Sequence, residues 1–354
     1  MPPFLRFVIR RLLQIPISLL IITMVLYAGV MIAPPEARAR LYIPKGKGGE
    51  RVTENYVTSI IKKQHLDEPY LVQYAYWARS LLTSSWGYSP TLQDDVLPSL
   101  LRRTPVTLEL TFYSLLLLIP LGLASGLIAG WRPYHWADGL FRSTAFFGTS
   151  MPPFILALML LSIFYVKLGW FAPGRIEVTT GMDLARSGFV NYTGLLTLDA
   201  LLNHRLDIFW IALRHLAMPV FTLSLFHWAT LGRVTRSIVI NQHKKEYIIA
   251  ARARGIGERR LLWKHILSTI FAPSLTTMAL SAAGIVTGTF VVEIIFGLPG
   301  ISQVIVISMS SFPDAPAALG FCVYSVLIVM VMMFVLDLIQ AALDPRVRDE
   351  VLKA

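Results

Sequence analysis

The sequence predicts an all-α integral membrane protein, and two observations lead to that prediction: the composition and the length of the apolar runs. Of 354 residues, 55% are hydrophobic and only 15% are charged, and the mean hydropathy is +0.60. Soluble domains carry about 25% charged residues, and one soluble core would not bury this apolar surplus. The runs exceed a barrel strand in length and lack its alternation, so we expect helices. The single cysteine, Cys322, excludes an intramolecular disulfide.

Six apolar runs are long enough to form transmembrane helices, because a crossing needs about 20 residues at a rise of about 1.5 Å per residue. The predicted spans are residues 12–33, 106–130, 143–168, 209–231, 268–292 and 317–341. The first run is too long for a signal peptide and ends at Pro34 without a small-residue cleavage site, so we expect a retained anchor. The chain therefore divides into the N-terminus with the first span (1–33), a long loop (34–105), a core of five spans (106–343) containing a basic loop (233–267), and a tail (344–354).

The basic residues indicate membrane orientation and do not suggest nucleic-acid binding. The formal net charge is +11, from 32 Lys and Arg against 21 Asp and Glu, but the cations lie at the ends of apolar runs and not on an aromatic-interleaved face. Residues 233–265 hold nine basic and two acidic side chains, and three arginines precede the first span. The positive-inside rule places both segments in the cytoplasm. Both termini are then cytoplasmic, and residues 34–105 form an extracytoplasmic cap in which 70–82 is expected to be a helix on the membrane surface.

Motifs for energy conversion and for hydrolytic catalysis are absent from the sequence. It contains no G-x-x-x-x-G-K-[ST] loop, no H-E-x-x-H, no G-x-S-x-G and no cysteine pair, so nucleotide hydrolysis would have to come from another chain. Ion-driven carriers keep ionisable residues at mid-membrane, whereas Glu109 and Glu293 lie near the ends of their predicted spans. In the fourth span, we interpret Arg214, His215 and His227 as satisfied contacts between helices in preference to a proton relay.

Glycines at one-turn spacing predict close helix packing, because they form a smooth stripe that a second helix can approach. Packing within this chain and packing across a subunit boundary both remain open. The stripes consist of Gly122, Gly126 and Gly130 in the second span and Gly284 and Gly288 in the fifth. Prolines at 120, 152–153 and 219 predict kinks or breaks, which either flank a pathway or are simply tolerated in membrane helices.

Residues 246–255 form the most informative motif of the chain. They read Glu-Tyr-Ile-Ile-Ala-Ala-Arg-Ala-Arg-Gly, which predicts a short helix that ends at Gly255. Its small residues, Ala250 and Ala251, have basic neighbours and suit docking into a groove on another protein. From the residues alone, a basic helix facing solvent or lipid headgroups explains the pattern better.

This loop resembles the cytoplasmic coupling loop, the EAA loop, of ATP-binding-cassette (ABC) importer permeases. The resemblance rests on residues 246–255, on 258–260 and on Pro273. Nearly the whole chain is similar to the first-named permease subunit of the dipeptide/oligopeptide/nickel transport family, a binding-protein-dependent inner-membrane component. Ile249 occupies the first position of the general Glu-Ala-Ala pattern, a shift that is common in the peptide subgroup. Further matching segments are residues 66–74, 104–110, 213–216, 219–225, 291–300 and 343–348.

The resemblance implies the fold of a type I ABC importer permease and a division of labour among subunits. This chain would be a transport subunit without an ATPase site, a metal or a cofactor of its own, and two cytoplasmic ATPase subunits would bind ATP and Mg. A homologous second permease would complete the path in the lipid bilayer of a prokaryotic inner membrane, and an extracytoplasmic solute-binding protein would deliver the solute. Peptides are the expected solute. Nickel or oligosaccharides in the same architecture remain alternatives, as does an ion-coupled secondary carrier.

The resemblance also implies site residues. Residues 246–256 would be the coupling helix seated in an ATPase, with contacts from Glu246, Ala250, Ala251, Arg252, Arg254, Gly255, Glu258 and Arg259. Spans three and five offer candidates for the translocation path, with helix packing as the alternative for each; they are Thr149, Ser150, Met278, Ser281 and Thr287. An outer mouth is expected at Glu293, Phe296 and Pro299. The carboxylate there is either part of that mouth or only a solvated cap.

Overall fold

The computed structural model describes residues 3–40, 54–310 and 314–343, and this part of the chain is built almost entirely from helices. The extended elements within these ranges are two antiparallel strands of two residues each, β1 (Tyr88–Ser89) and β2 (Asp94–Asp95). The predicted all-α class is therefore confirmed. The predicted tail, 344–354, and residues 41–53 of the predicted cap lie outside the described residues.

Within the described residues, the helices form two compact units, one of residues 3–7, 107–298 and 332–343 and one from the ranges 8–106 and 299–331. The segments Leu161–Lys167 and Leu261–Ile266 have wider π-helical turns and continue α7 and α12, respectively. In chain order, the helices are α1 (Pro3–Val30), α2 (Pro35–Arg40), α3 (Glu54–Lys63), α4 (Tyr70–Leu82), α5 (Val96–Trp131), α6 (Trp136–Ser150), α7 (Pro153–Leu160), α8 (Val178–Arg186), α9 (Leu196–Leu202), α10 (Leu206–His243), α11 (Glu246–Ala253), α12 (Glu258–Arg260), α13 (Leu267–Phe296), α14 (Ser302–Ser310) and α15 (Ala315–Leu343).

Five helices of the described ranges are long and apolar enough to cross a membrane, namely α1, α5, α10, α13 and α15. They correspond to five of the six predicted spans. The remaining prediction, residues 143–168, falls on α6 and α7 with its π-helical continuation, which pass the same test only as a pair. The chain therefore has six spans if this pair crosses as one.

The predicted third span is not one continuous helix, because α6 and α7 meet at a bend of 99°. Met151 and Pro152 between them are extended, with ψ of 124° and 139°. A residue before proline is driven out of the α region, and Pro153 has no N–H to continue the ladder but suits the first position of a new helix. The proline pair thus breaks the helix, as expected, and the predicted third span consists of two helices joined by this bend.

The fourth span extends well beyond its predicted end at residue 231, because α10 continues to His243. The added turns are amphipathic: Thr235 and Val239 are fully buried, while Arg233 on the other side is exposed. A span predicted from hydropathy ends at the first charged residues. The helix itself continues, because one apolar stripe is enough to keep it packed against its neighbours.

In the unit of residues 107–298, α10 packs against α6, α7, α9 and α13. The glycine stripes also face α10. A Cβ atom on Gly126 would lie 2.5 Å from the carbonyl oxygen of Gly232, and one on Gly130 would lie 2.7 Å from that of Arg236. In α13, Gly284 lies against the ring of His227. The stripes therefore serve packing within this chain, one of the two alternatives that the sequence left open.

In the other unit, α4 packs against α1 through aromatic rings. Tyr27 stacks on Trp77 with ring centroids 5.0 Å apart, and the hydroxyls of Thr23 and Tyr74 are 2.9 Å apart. The helix predicted at 70–82 is confirmed as α4. Its position on the membrane surface stays a prediction.

The strand pair is fixed by Asp314, which is buried just before α15. Its Oδ2 accepts hydrogen bonds from the hydroxyls of Ser89 and Thr91, at 2.6 and 2.7 Å, while its Oδ1 accepts one from the backbone N–H of Ala317. One carboxylate therefore caps a helix and holds a loop that precedes it by more than 200 residues.

The close contact at Gly126 predicts the effect of a side chain there. Replacement by valine should force α5 and α10 apart and lower the free energy of unfolding by about 1–3 kcal/mol, the usual cost of overpacking. The measurement is the midpoint of thermal unfolding of the detergent-solubilised protein, followed by intrinsic fluorescence. Gly139→Val is the matched control, because nothing lies within 4 Å of a Cβ at Gly139. Equal midpoints for the two variants would contradict the packing described here.

Candidate functional site

The loop between α10 and α13 presents the short helix α11. Glu246 is in its first turn, where a carboxylate is favourable to the helix dipole. Its end is a Schellman motif: the N–H of Ile256 donates to the carbonyl of Ala251 at 3.2 Å, and the N–H of Gly255 donates to that of Arg252 at 2.9 Å. Gly255 has φ of 75°, a conformation that favours glycine. The predicted short helix that ends at Gly255 is confirmed.

One side chain of α11, Ile248, is fully buried and attaches the helix to the bundle. It joins an apolar cluster drawn from α5 and α10, which precede α11, and from the segment that follows it. Ala251 and Ile256 pack against this cluster from outside. The other members are Leu127, Trp131, Val239, Leu261, Leu262, Ile266 and Ile270. A force applied to α11 therefore reaches α5, α10 and α13 through direct packing.

Arg252 adds polar contacts to this attachment. Its Nε donates to Glu258 Oε1 at 2.8 Å, and its Nη2 lies 2.8 Å from Nε2 of His243. The guanidinium lies 5.3 Å from the ring centroid of Trp131, whose ring in turn is 4.5 Å from that of His243. Two of the predicted coupling residues, Arg252 and Glu258, thus contact each other inside the loop. Sequence reasoning missed Trp131 and His243, because nothing local connects them to α11.

The outward side of α11 is apolar at its centre and charged at its ends. Ile249 and Tyr247 are 59% and 40% exposed, and Ala250 is exposed beside them. The flanking predicted coupling residues are also exposed, namely Glu246, Arg254, Gly255 and Arg259. An exposed apolar surface with a charged rim is the pattern of a protein-interaction site, so this face suits a protein partner. The predicted set omitted Tyr247 and Ile249, the two largest apolar side chains of the face.

The five path candidates are not brought to one open surface. Thr149 and Ser150 lie at the end of α6, and their hydroxyls donate to carbonyls one turn back in that helix. Thr287 is exposed on α13 and does the same. Met278 and Ser281 are buried. The role of all five in a translocation path stays a prediction.

The predicted outer-mouth residues are buried or half-buried. Glu293 is fully buried and accepts a hydrogen bond from the hydroxyl of Thr107, so it is not a solvated cap. Phe296 is 1% exposed, and its carbonyl accepts a hydrogen bond from the N–H of Gly174 at 2.7 Å. Pro299 is half-buried. Their role as an outer mouth stays a prediction.

A second buried carboxylate, Glu109 of α5, holds the segment before α10 in place. Its Oε1 accepts hydrogen bonds from the backbone N–H and the hydroxyl of Thr197, at 2.7 and 2.6 Å. Its Oε2 pairs with Nη2 of Arg175 at 3.2 Å, and that nitrogen also donates to the carbonyl of Gly194. Sequence reasoning placed Glu109 near a span end but did not find its partners, which lie 66 and 88 residues away.

The polar pair on α10 has partners in the same segment. Arg214 Nε donates to the carbonyl of Trp170 at 2.7 Å, and Nδ1 of His215 lies 3.1 Å from the carbonyl oxygen of Gly174. Both side chains are therefore satisfied, though by loop carbonyls instead of a neighbouring helix. This observation accords with a structural role and not with a proton relay.

These features define a class: a polytopic helical membrane protein that carries a small helix with an exposed apolar face on one basic loop. Residues 122–349 match the family described as binding-protein-dependent transport system inner membrane component, and residues 4–111 match the model for the N-terminal part of such components. The chain belongs to this family and is a permease subunit of an ABC importer.

Several curated relatives are similar to this chain over nearly its full length. The dipeptide transport system permease protein DppB of Alkalihalophilus pseudofirmus is 28% identical, over 97% of this chain and 99% of the relative. The oligopeptide transport system permease protein AppB of Bacillus subtilis is 30% identical, over 96% and 98%. The di/tripeptide transport system permease protein DppB of Pseudomonas aeruginosa is 28% identical, over 98% and 99%.

The contacts of Glu109 predict a cost for removing its cation. Arg175→Met should lower the free energy of unfolding by about 1–3 kcal/mol, because it removes a charged hydrogen bond from a buried carboxylate. The measurement is the thermal midpoint of the purified protein in detergent. Arg205→Met is the matched control, since Arg205 pairs with Asp207 on the exposed surface and surface pairs contribute little. A midpoint for Arg175→Met as high as that of the control would contradict this account.

Proposed function

We propose that this permease imports peptides and that partner ATPases, which bind α11, supply the ATP hydrolysis. The observation that carries the proposal is the exposed apolar face of a helix that is anchored on its other side by Ile248 and Arg252. The relatives DppB and AppB are named as permeases for dipeptides, di/tripeptides and oligopeptides, which supports peptides as the solute. Nickel and oligosaccharides are outcomes that an uptake assay would reveal.

In this mechanism, the ATPase subunits supply the energy and the permease conducts the solute. Two cytoplasmic ATPases bind ATP and Mg, and this chain holds neither an ATPase site nor a cofactor of its own. Closure of the ATPases pushes on α11, and the apolar cluster around Ile248 passes the displacement to α5, α10 and α13. The spans then alternate between two arrangements, in which a central cavity faces one side of the membrane or the other. The solute therefore moves with free energy that is supplied by the ATPases.

The path requires further subunits. A homologous second permease would contribute the other half of the cavity, and an extracytoplasmic solute-binding protein would deliver the peptide to the outer side. Glu293 and Phe296 lie at the end of α13 away from α11, which supports their assignment to that side. The membrane is the inner membrane of a prokaryote.

The orientation follows from the charge distribution. With α11 and the nine basic side chains of residues 233–265 in the cytoplasm, an even number of spans places both termini there and residues 34–105 outside. This arrangement puts α11 on the side where ATP is available.

The two faces of α11 predict opposite effects for neighbouring isoleucines. Ile249→Glu should leave the thermal midpoint unchanged but abolish co-purification of the ATPases and peptide uptake by proteoliposomes that contain the whole complex, since it places a charge on the docking face. Ile248→Ala should lower the free energy of unfolding by about 2–5 kcal/mol, because it removes a buried side chain. Undiminished uptake by Ile249→Glu would contradict docking through this face. Uptake by the chain without companions would contradict the importer itself.

Cysteine labelling tests the orientation, since Cys322 is the one native cysteine and Cys322→Ser provides a blank background. In intact cells, a membrane-impermeant maleimide should label Thr83→Cys, which is exposed at the end of α4. It should not label Arg254→Cys until the membrane is permeabilised. Labelling of Arg254→Cys in intact cells would place α11 outside and overturn the proposal.

A further inference from the structure

An apolar groove runs along the surface of the unit of residues 107–298, between α5, α6 and α10. Its volume is about 560 Å³. Leu121 and Ile128 form one wall, Leu140 and Phe141 a second, and Trp228 lies between them. None of these residues belongs to the predicted coupling, path or mouth sets, so the groove is separate from the function proposed above.

The polar groups that line the groove are already satisfied. The hydroxyls of Ser125, Thr144 and Ser224 each donate to a backbone carbonyl, at 2.5, 2.9 and 3.0 Å. The indole Nε1–H of Trp228 donates to the oxygen of Ser125 at 2.9 Å. The groove therefore offers a guest only apolar contact, and a guest that carries polar groups along its length would lose their hydration without replacement. A hydrocarbon chain fits this lining.

The length of the groove matches one leaflet of a bilayer. Leu117 and Ile128, which both line the groove on α5, are eleven residues apart, or about 17 Å at about 1.5 Å per residue. This length is about half of a hydrocarbon core of about 30 Å, so an acyl chain from one leaflet can lie along it.

One end of the groove has the character of a membrane interface. Trp136 lines it there and is 72% exposed, and Tyr134 beside it is 87% exposed, which is typical of aromatic residues at headgroup level. Arg132 follows the last residue of α5 directly, four residues before Trp136 in the chain. It is exposed and makes no ion pair with the residues that the structure describes.

The other charged groups near this end leave it positive. The nearest carboxylate, Asp138, is fully buried and is bound by Arg236 through two hydrogen bonds, of 2.5 and 2.8 Å, with Arg142 at 3.7 Å. His135 lies beside Trp136, with ring centroids 6.1 Å apart. The acid is thus neutralised by its own arginines, and Arg132 with His135 remains to attract an anion.

We propose that this groove binds one acyl chain of an anionic phospholipid, with the lipid phosphate held by Arg132 and His135. The lipid belongs to the leaflet on the side of α11, because Trp131, at the same end of α5, contacts His243 and Arg252 of that loop. The site is independent of ATPase docking. An ordered lipid here would fill the surface between α5, α6 and α10 and support the end of the bundle that carries α11.

Trp228 is a built-in reporter of acyl-chain occupancy. The full-length protein is reconstituted in phosphatidylcholine, and phosphatidylglycerol brominated at mid-chain is added in increasing mole fraction. Fluorescence lost by the parent but not by Trp228→Phe reports bromine in the groove. This quenching should saturate at a mole fraction well below that needed with brominated phosphatidylcholine. Free inorganic phosphate should leave it unchanged, because the acyl chain and not the phosphate alone binds the site.

Two variants and a control distinguish the contribution of the lipid headgroup to binding from that of the acyl chain. Arg132→Gln should raise the half-quenching mole fraction about fivefold, the effect of one cation near an anionic surface, and Thr144→Phe should abolish saturable quenching by filling the groove. Arg233→Gln, which replaces an exposed arginine outside the groove, should change neither the half-quenching mole fraction nor the saturation of quenching.

Equal quenching by the two lipids, or an Arg132→Gln curve identical to the parent's, would overturn an anionic-lipid site. Quenching seen only in the absence of partner subunits would overturn it in favour of a partner helix. Neither result would bear on the proposed import of peptides, because that proposal does not involve the groove.

Discussion

The near contact of the α5 and α10 backbones at Gly126 and Gly232 is the constraint on which the unit of residues 107–298 depends. In lipid no hydrophobic force drives helices together, so close van der Waals contact between small residues must do so. Once α10 is held this way, α6, α9 and α13 pack against it. The amphipathic end of α10 then projects beyond the apolar region and carries the loop that bears α11.

The eight residues of α11 form a helix with one side packed against the bundle and the other side exposed. Successive residues on a helix point about 100° apart, so Ile248 and Ile249 face different surroundings although they are neighbours in sequence. Ile248 joins the buried cluster, whereas Ile249 and Tyr247 are exposed. The coupling role proposed for α11 requires both properties, because a loosely attached helix would not transmit a displacement and a fully buried helix would offer no surface for a partner to bind.

The sequence predicted the helical class, the position of five spans and the end of α11 at Gly255, because each depends on local properties: apolar length, and the glycine preference of a left-handed residue. It predicted a break at the proline pair but not a bend of 99° there. The bend was missed because hydropathy measures how apolar a segment is and carries no information about the angle between consecutive helices. The length of α10 was underestimated because its last turns are held by one buried stripe and not by overall apolarity.

By itself, then, the sequence determined the class, the family resemblance and the position of the short helix α11, since these depend on composition and on contiguous motifs. Only the tertiary structure decided which residues of that segment face outward, that the glycine stripes pack within the chain, and that Glu109 and Glu293 are buried and hydrogen-bonded. The partners of these groups come from positions far along the chain, such as Arg175 for Glu109. Their meeting is a consequence of helix packing, which no local pattern of residues encodes.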